Sequence, residues 1–484
     1  MPRLRKPSHP SMTFTSLSYF LFLPLVYLIF YFAKDRYRWV VLLIASYAFY
    51  ATFKAPQLIL ALILITAVSY ACGIRLGQTA EEKQRKHIFW SGITICVLLL
   101  IGIKLLPIFT TPLGTNIPPV YTNLLISIGI SYFSFQAISY LADVYLEIQE
   151  PEPHLGYHAL ALAFFPKLLQ GPIERAGDLL PQLKKPYVFD YDASRSGMLL
   201  FTWGLFKKLV LADRLAIYSD QIFNHVHDYT GLPLLIGTYA FAFQIYFDFS
   251  GYTDMARGTA RLFGFNLTEN FNSPYLATSI ADFWRRWHIS FSRWILDYIF
   301  KPLQMSWRRW GQAGTAFALL VTFLISGLWH GISKGFVVWG LLHGTYLASS
   351  AYYRPYQKKM YKWLGVDKCP WLKWWQVFVT FNLVSFAWVF FRANNINDAL
   401  FILSKVGNVI VTKNTPTVNI AEVTITDNII LSVMLMITYL NSRYTCIESL
   451  LNKKIYIRFS FYVLLLMLIL IFNVSGKTYI YAQF

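Results

Sequence analysis

Charge is scarce in this chain. Asp, Glu, Lys and Arg make up only 14% of its 484 residues, against roughly 25% in an ordinary soluble protein. Cysteine is scarce too. Cys72, Cys96, Cys369 and Cys446 stand at no paired spacing, which excludes a disulfide framework and a cysteine-rich metal site. There is no Ser/Gly-rich linker, low-complexity tract or internal repeat, so residues 1–484 are expected to form one domain. The sequence does not support a serine hydrolase: its one Gly-x-Ser-x-Gly string, residues 331–335, stands between long apolar runs and follows no strand signal. No His-x-x-x-His or acidic ligand set accompanies His288 and His330, which stand 42 residues apart, so no metal site is expected there.

What is present is apolar. Hydrophobic residues reach 56% and aromatic residues 18%. Uncharged runs cover 7–33, 39–53, 55–74, 88–103, 105–142, 229–247, 311–333, 335–353, 374–391 and 459–476. A helical span needs roughly 20 apolar residues, so the chain is expected to be an all-α polytopic membrane protein with roughly 10–12 spans and several short re-entrant or interfacial helices. The first run has no small-residue cleavage site after it and is expected to stay as a span rather than be cleaved as a signal peptide. Met12 is an alternative start to Met1.

The net charge of +19 would suggest nucleic acid in a soluble protein. Here the cations sit at span edges, in Lys34-Asp35-Arg36-Tyr37-Arg38, residues 83–86, Arg308-Arg309, Lys358-Lys359 and Lys453-Lys454. They are expected to face anionic membrane lipids, not nucleic acid. Residues 12–147 and 346–484 are mostly plain spans. Residues 148–345 interleave polar and apolar stretches and are expected to hold the working core, because polar groups at membrane depth need protein or water around them.

Within that core, residues 244–302 pack acidic, basic and aromatic residues together. Idle charge is costly in hydrocarbon, so such a block marks a functional region. Ser279, three residues before Asp282, is an N-cap pattern. One helix is expected from there through Trp284, Arg285, Trp287, His288, Phe291, Trp294 and Ile295. His288, His330 and His343 each lie in strongly apolar sequence. His330, between Trp329 and Gly331 after a long uncharged run and with little charge nearby in sequence, is the strongest candidate for a neutral general base. Asp248 and Asp254 either pair with Arg257, Arg261 or the Arg285-Arg286 pair, or line a polar tunnel. Lys167, Glu174 and Arg175 present a similar choice in a segment that Pro166 and Pro172 should break.

These residues resemble the membrane-bound O-acyltransferase (MBOAT) family. The resemblance runs through Phe164-Phe165-Pro166 to Gln170-Gly171-Pro172-Ile173-Glu174-Arg175, then Tyr246-Phe247-Asp248-Phe249-Ser250-Gly251-Tyr252 and Asn270-Phe271-Asn272-x-Pro274-Tyr275. It continues through Asp282-Phe283-Trp284-Arg285-Arg286-Trp287-His288-Ile289-Ser290, Gly327-Leu328-Trp329-His330-Gly331 and Trp339-Gly340-x-x-His343-Gly344. The closest branch is bacterial, covering alginate, peptidoglycan and teichoic acid modification.

The resemblance implies a ring of helices around a central funnel crossed by a tunnel. It implies transfer of an acyl group, expected to be acetyl, from a thioester to a hydroxyl. His330 would be the base. His288 would position the substrate or steady the oxyanion. Asp248, Tyr252, Asp254 and Trp284 are expected to line the tunnel, together with Arg285, Trp329, Gln170 and Glu174. Lys167, Arg175, Lys207 and Lys208 are expected at the donor. No resident cofactor is implied; acetyl-CoA is the expected co-substrate, with a carrier-protein thioester as its rival.

The ending Tyr479-Ile480-Tyr481-Ala482-Gln483-Phe484 is similar to an aromatic tail found in the branch, which implies Tyr481 as an acyl relay or, structurally, an interfacial anchor. The expected setting is a bacterial inner membrane. The expected partner is an extracytoplasmic SGNH-type acetyltransferase that delivers the group to a polysaccharide or to peptidoglycan. After Ser292 the sequence Trp294-Ile295-Leu296-Asp297-Tyr298-Ile299-Phe300-Lys301-Pro302-Leu303-Gln304 lacks the Arg and Gly-Gly usual in alginate-type members, which leaves the polymer open. The alternatives are a transporter or flippase, and an acyltransferase acting on a lipid or protein hydroxyl.

Overall fold

A computed structural model describes residues 12–53, 55–110, 129–407 and 453–472. Among them the regular structure is helical, apart from one antiparallel bridge between Phe271 and Trp287. The helices are α1 Leu17–Phe32, α2 Asp35–Ala51, α3 Pro56–Gln78, α4 Glu82–Thr110, α5 Ile130–Tyr145, α6 Leu155–Ala163, α7 Ala176–Lys184 and α8 Tyr191–Phe206. A π-helical turn, Lys207–Ala212, leads into α9 Asp213–Asn224, followed by α10 Leu232–Leu262, α11 Ile280–Arg286 and α12 Ile289–Ile295. A second π-turn, Leu296–Phe300, precedes α13 Lys301–Ser306, α14 Gly311–His330, α15 Lys334–Trp363, α16 Pro370–Arg392, α17 Ile396–Lys405 and α18 Ile455–Phe472.

Six of the described helical stretches are long and apolar enough to cross a bilayer: Pro56–Gln78, Glu82–Leu105, Leu232–Leu262, Arg308–His330, Pro370–Arg392 and Ile455–Phe472. Other apolar runs fold differently from plain spans. The α1 helix is apolar but only 16 residues long. The second half of α15 carries Arg354, Lys358, Lys359 and Lys362. Part of the 105–142 run lies outside the described residues.

The described chain groups into two compact units. One contains residues 12–53, 55–110, 129–205 and 252–269. In it α3, α4 and α5 pack on one another, with Leu76, Tyr140, Leu141 and Val144 buried at the centre. Tyr19 of α1 bonds the Thr259 hydroxyl at 2.9 Å. At Gly197 and Gly258 two helices meet backbone to backbone: a Cβ on either would lie 2.6–2.7 Å from the other's carbonyl oxygen.

The second unit contains residues 206–251, 270–407 and 453–472. Its framework is the hairpin of α14 and α15, seamed by glycines. A Cβ on Gly327 would meet the Phe336 carbonyl oxygen at 2.4 Å, and one on Gly340 would meet the Phe323 carbonyl oxygen at 2.4 Å. Small residues let the two backbones touch, the usual means of close helix association in a membrane. The α16 helix packs on α15, and its Arg392 reaches Asp220 of α9 at 2.9 Å.

Candidate active site

The region expected to be one helix from residue 280 to 295 is two. The first starts as the sequence suggests. Ser279 Oγ accepts the Asp282 amide N–H at 3.2 Å, and Asp282 Oδ2 accepts the Thr278 amide N–H at 3.2 Å. Each side chain thus satisfies a backbone donor at the helix start. After Arg286 the helix stops, because a distant segment takes over the backbone. The Asn272 amide donates to the Arg286 carbonyl, and the Ile289 amide donates to the Asn270 carbonyl, both at 3.0 Å. Trp287 is extended and bridges to Phe271. Asn270 Oδ1 then accepts the Ser290 amide at 3.0 Å and caps α12 from outside.

His288 sits at this break with φ 43° and ψ 56°, in the left-handed region. A side chain other than glycine, asparagine, aspartate or histidine is strained there, and such positions concentrate at functional sites. The ring is buried, in edge contact with Phe249 at 4.7 Å and stacked on Phe291 at 5.1 Å. His288 lies outside the six spans, and burial pushes its pKa down to about 3, so the ring is neutral.

His330 is the last residue of α14 and is 6% exposed. Trp329, Trp339, Phe336 and Phe391 surround it at ring separations of 4.5, 5.1, 6.1 and 5.0 Å. Phe291 stacks on Trp329 at 4.6 Å. A continuous aromatic path therefore runs His288–Phe291–Trp329–His330, and joins the two histidines expected to act together.

Trp284 and His343 form a second polar contact in this unit. The Trp284 indole N–H donates to His343 Nδ1 at 3.2 Å. The sequence marks His343 as one of three histidines in apolar stretches and within Trp339-Gly340-x-x-His343-Gly344, but assigns it no role.

The other expected residues fall into distinct environments. Asp248 is buried against Lys208 Nζ at 2.6 Å, and Asp213 completes the cluster at 2.8 Å. Lys208 thus replaces the arginines expected to pair Asp248. Lys208 and Lys207 lie in the π-turn, and both are buried. Arg285 is exposed and leans on Asp282 at 3.5 Å. Tyr246 and Tyr275, both in the sequence block, help line a cavity of about 410 Å³ that is walled by Phe243, Trp374, Phe378 and Phe381.

In the other unit, Asp254 pairs with Arg257 at 3.6 Å, one of the pairings considered from the sequence. Tyr252 is buried with its ring 4.8 Å from Phe14. Residues 164–175 form turns rather than a helix, as the two prolines suggest. There Lys167 is fully buried and bonds Gln136 Oε1. Burial lowers its pKa to about 7, partly countered by Glu174. Glu174 accepts the Thr268 amide at 2.5 Å and its hydroxyl at 3.0 Å. Gln170 is buried nearby in sequence, and Arg175 precedes the first residue of α7. Tyr481 lies outside the described residues. No group of three or more His, Cys, Asp or Glu side chains among the described residues could hold a metal ion.

Two buried histidines, His288 at the break between α11 and α12 and His330 at the end of α14, are thus joined through aromatic rings. Residues 117–390 match the model of the membrane-bound O-acyltransferase family. The chain is 37% identical over 396 residues to a probable alginate O-acetylase from Pseudomonas aeruginosa, covering 78% of this chain and 72% of that protein. It is 33% identical over 425 residues to a peptidoglycan O-acetyltransferase from Helicobacter pylori, covering 80% and 78%. A teichoic acid D-alanyltransferase from Bacillus subtilis is 27% identical over 321 residues, covering 64% and 79%. The chain belongs to the membrane-bound O-acyltransferase family: it is a multi-pass membrane protein and an O-acyltransferase.

Proposed function

We propose that this enzyme works in a bacterial inner membrane and takes an acetyl group from acetyl-CoA for O-acetylation of an extracytoplasmic polysaccharide or peptidoglycan. An SGNH-type acetyltransferase partner would complete delivery. The supporting observation is the buried, aromatic-walled His330 at the end of α14, in a chain whose relatives are named for acyl transfer to envelope polymers.

The chemistry follows from a neutral imidazole. His330 accepts the proton of the attacking hydroxyl as its oxygen bonds to the thioester carbonyl carbon. The C–S bond then breaks, and the imidazolium returns the proton to the departing thiolate. The carbonyl end of α14 carries partial negative charge and steadies the imidazolium while it lasts. His288 holds the substrate or the developing oxyanion. Lys208 contributes only through its fixed pair with Asp248. Tyr481 is the hydroxyl that carries the acetyl group onward.

Acetyl transfer from labelled acetyl-CoA to the purified protein tests the reading, with His330→Ala and Tyr481→Phe beside wild type. Label that both substitutions abolish supports base and relay. Label that survives Tyr481→Phe but not His330→Ala removes the relay. An unchanged signal in His330→Ala overturns the base assignment, and no label on wild type overturns the donor or the covalent relay.

A further inference from the structure

A cluster of buried ring donors beside His330 lacks acceptors among the described residues. His343 is completely buried, and its Nδ1 accepts the Trp284 indole N–H at 3.2 Å. A neutral imidazole carries one N–H, so with Nδ1 accepting, the proton is on Nε2. Nε2–H points away from Trp284 and meets no acceptor among the described residues. The Trp339 and Trp388 indole N–H groups are also buried without an acceptor among the described residues. The three rings form one cluster: Trp339 lies 5.0 Å from His343 and 5.9 Å from Trp388. Trp339 also packs edge-on to His330 at 5.1 Å. Buried donors normally find partners, and those that do not call for an explanation.

A site built from donors selects a ligand group that accepts and does not donate. The hydroxyl that His330 deprotonates is a donor and does not fit that description. A thioester carbonyl oxygen does, and it becomes a stronger acceptor as the tetrahedral intermediate forms. We propose that His343 Nε2–H is an oxyanion donor of this enzyme, assisted by the Trp339 indole, and that Trp284 is the positioning residue that fixes its tautomer. This rests on the acyl-transfer reading above. It separates the duties of the histidines: His330 handles the proton, and His343 handles the carbonyl oxygen.

The test uses the full-length protein in lipid nanodiscs, with acetyl-CoA and the small thioester S-acetyl-N-acetylcysteamine as donors. His343→Asn keeps an acceptor for Trp284 and loses the distal donor; His343→Gln restores a distal N–H. The expected result is a fall in kcat of roughly 100- to 1,000-fold in His343→Asn with KM nearly unchanged, and recovery to within about tenfold of wild type in His343→Gln. Equal kcat in His343→Asn and wild type overturns the proposal, as does loss in both variants in step with lost thermal stability. Nitrogen NMR of histidine-labelled protein decides the tautomer without turnover: an Nδ1–H signal for His343 overturns the proposal and leaves the acyl-transfer reading standing. A wild type that consumes neither thioester overturns the donor reading, and this proposal with it.

Discussion

Asn270 caps a helix that begins nineteen residues later: its Oδ1 accepts the Ser290 amide N–H at 3.0 Å while its carbonyl accepts the neighbouring Ile289 amide. That pair of bonds holds open the gap between α11 and α12 in which His288 sits. Asn270→Ala should therefore destabilise the protein by about 1 kcal/mol, the usual effect of a lost cap. It should lower acyl transfer by considerably more than that loss of stability explains. Thermal unfolding and turnover measured on the same preparation check both.

The left-handed backbone at His288 makes a separate prediction. Asparagine tolerates that conformation and a β-branched residue does not. His288→Val should destabilise by about 1–3 kcal/mol relative to His288→Asn. Denaturation in detergent of the two variants measures the difference, and equal stabilities would remove backbone strain from the account.

Lys208 sits between Asp213 and Asp248 with all three side chains buried. Lys208→Met leaves two carboxylates without their cation and should destabilise by about 3–5 kcal/mol. Adding Asp213→Asn and Asp248→Asn to Lys208→Met should recover most of that loss, because no uncompensated buried charge then remains. The comparison of single and triple variants by thermal unfolding is the check.

Asp282 sets an acid limb of stability. Burial alone would raise its pKa, but the Arg286 hydrogen bond, the Thr278 amide and the charges of Arg286 and Arg285 outweigh it and hold it below the ordinary carboxylate range. A carboxylate with a depressed folded pKa contributes stability that is fully present above its unfolded value and is lost as pH falls through the folded one. Unfolding midpoints recorded from pH 7 down to pH 3 should fall less steeply in Asp282→Asn than in wild type.

Much of this was legible in local sequence. The Ser279–Asp282 cap, the proline-broken turns at 164–175 and the Asp254–Arg257 pair all involve residues a few positions apart. What was not legible depends on distant segments. Asp248 chose Lys208, forty residues away, over nearer arginines. The break at Trp287 and His288 exists because residues 270–272 supply backbone partners that no helical periodicity reveals. His343 looked like an ordinary core histidine until Trp284 was found on its Nδ1.

The glycine seam between α14 and α15 limits how such an enzyme can diversify. With Gly327 and Gly340 each facing a carbonyl oxygen at a distance no methyl group could occupy, the spacing of His330 and Trp339 is fixed by main chain rather than by side-chain choice. A descendant that accepts a bulkier acyl group or a different polymer would have to gain room from the other walls, by trimming rings on α16 or reshaping the 270–288 segment. The hairpin is the frame that such remodelling leaves alone.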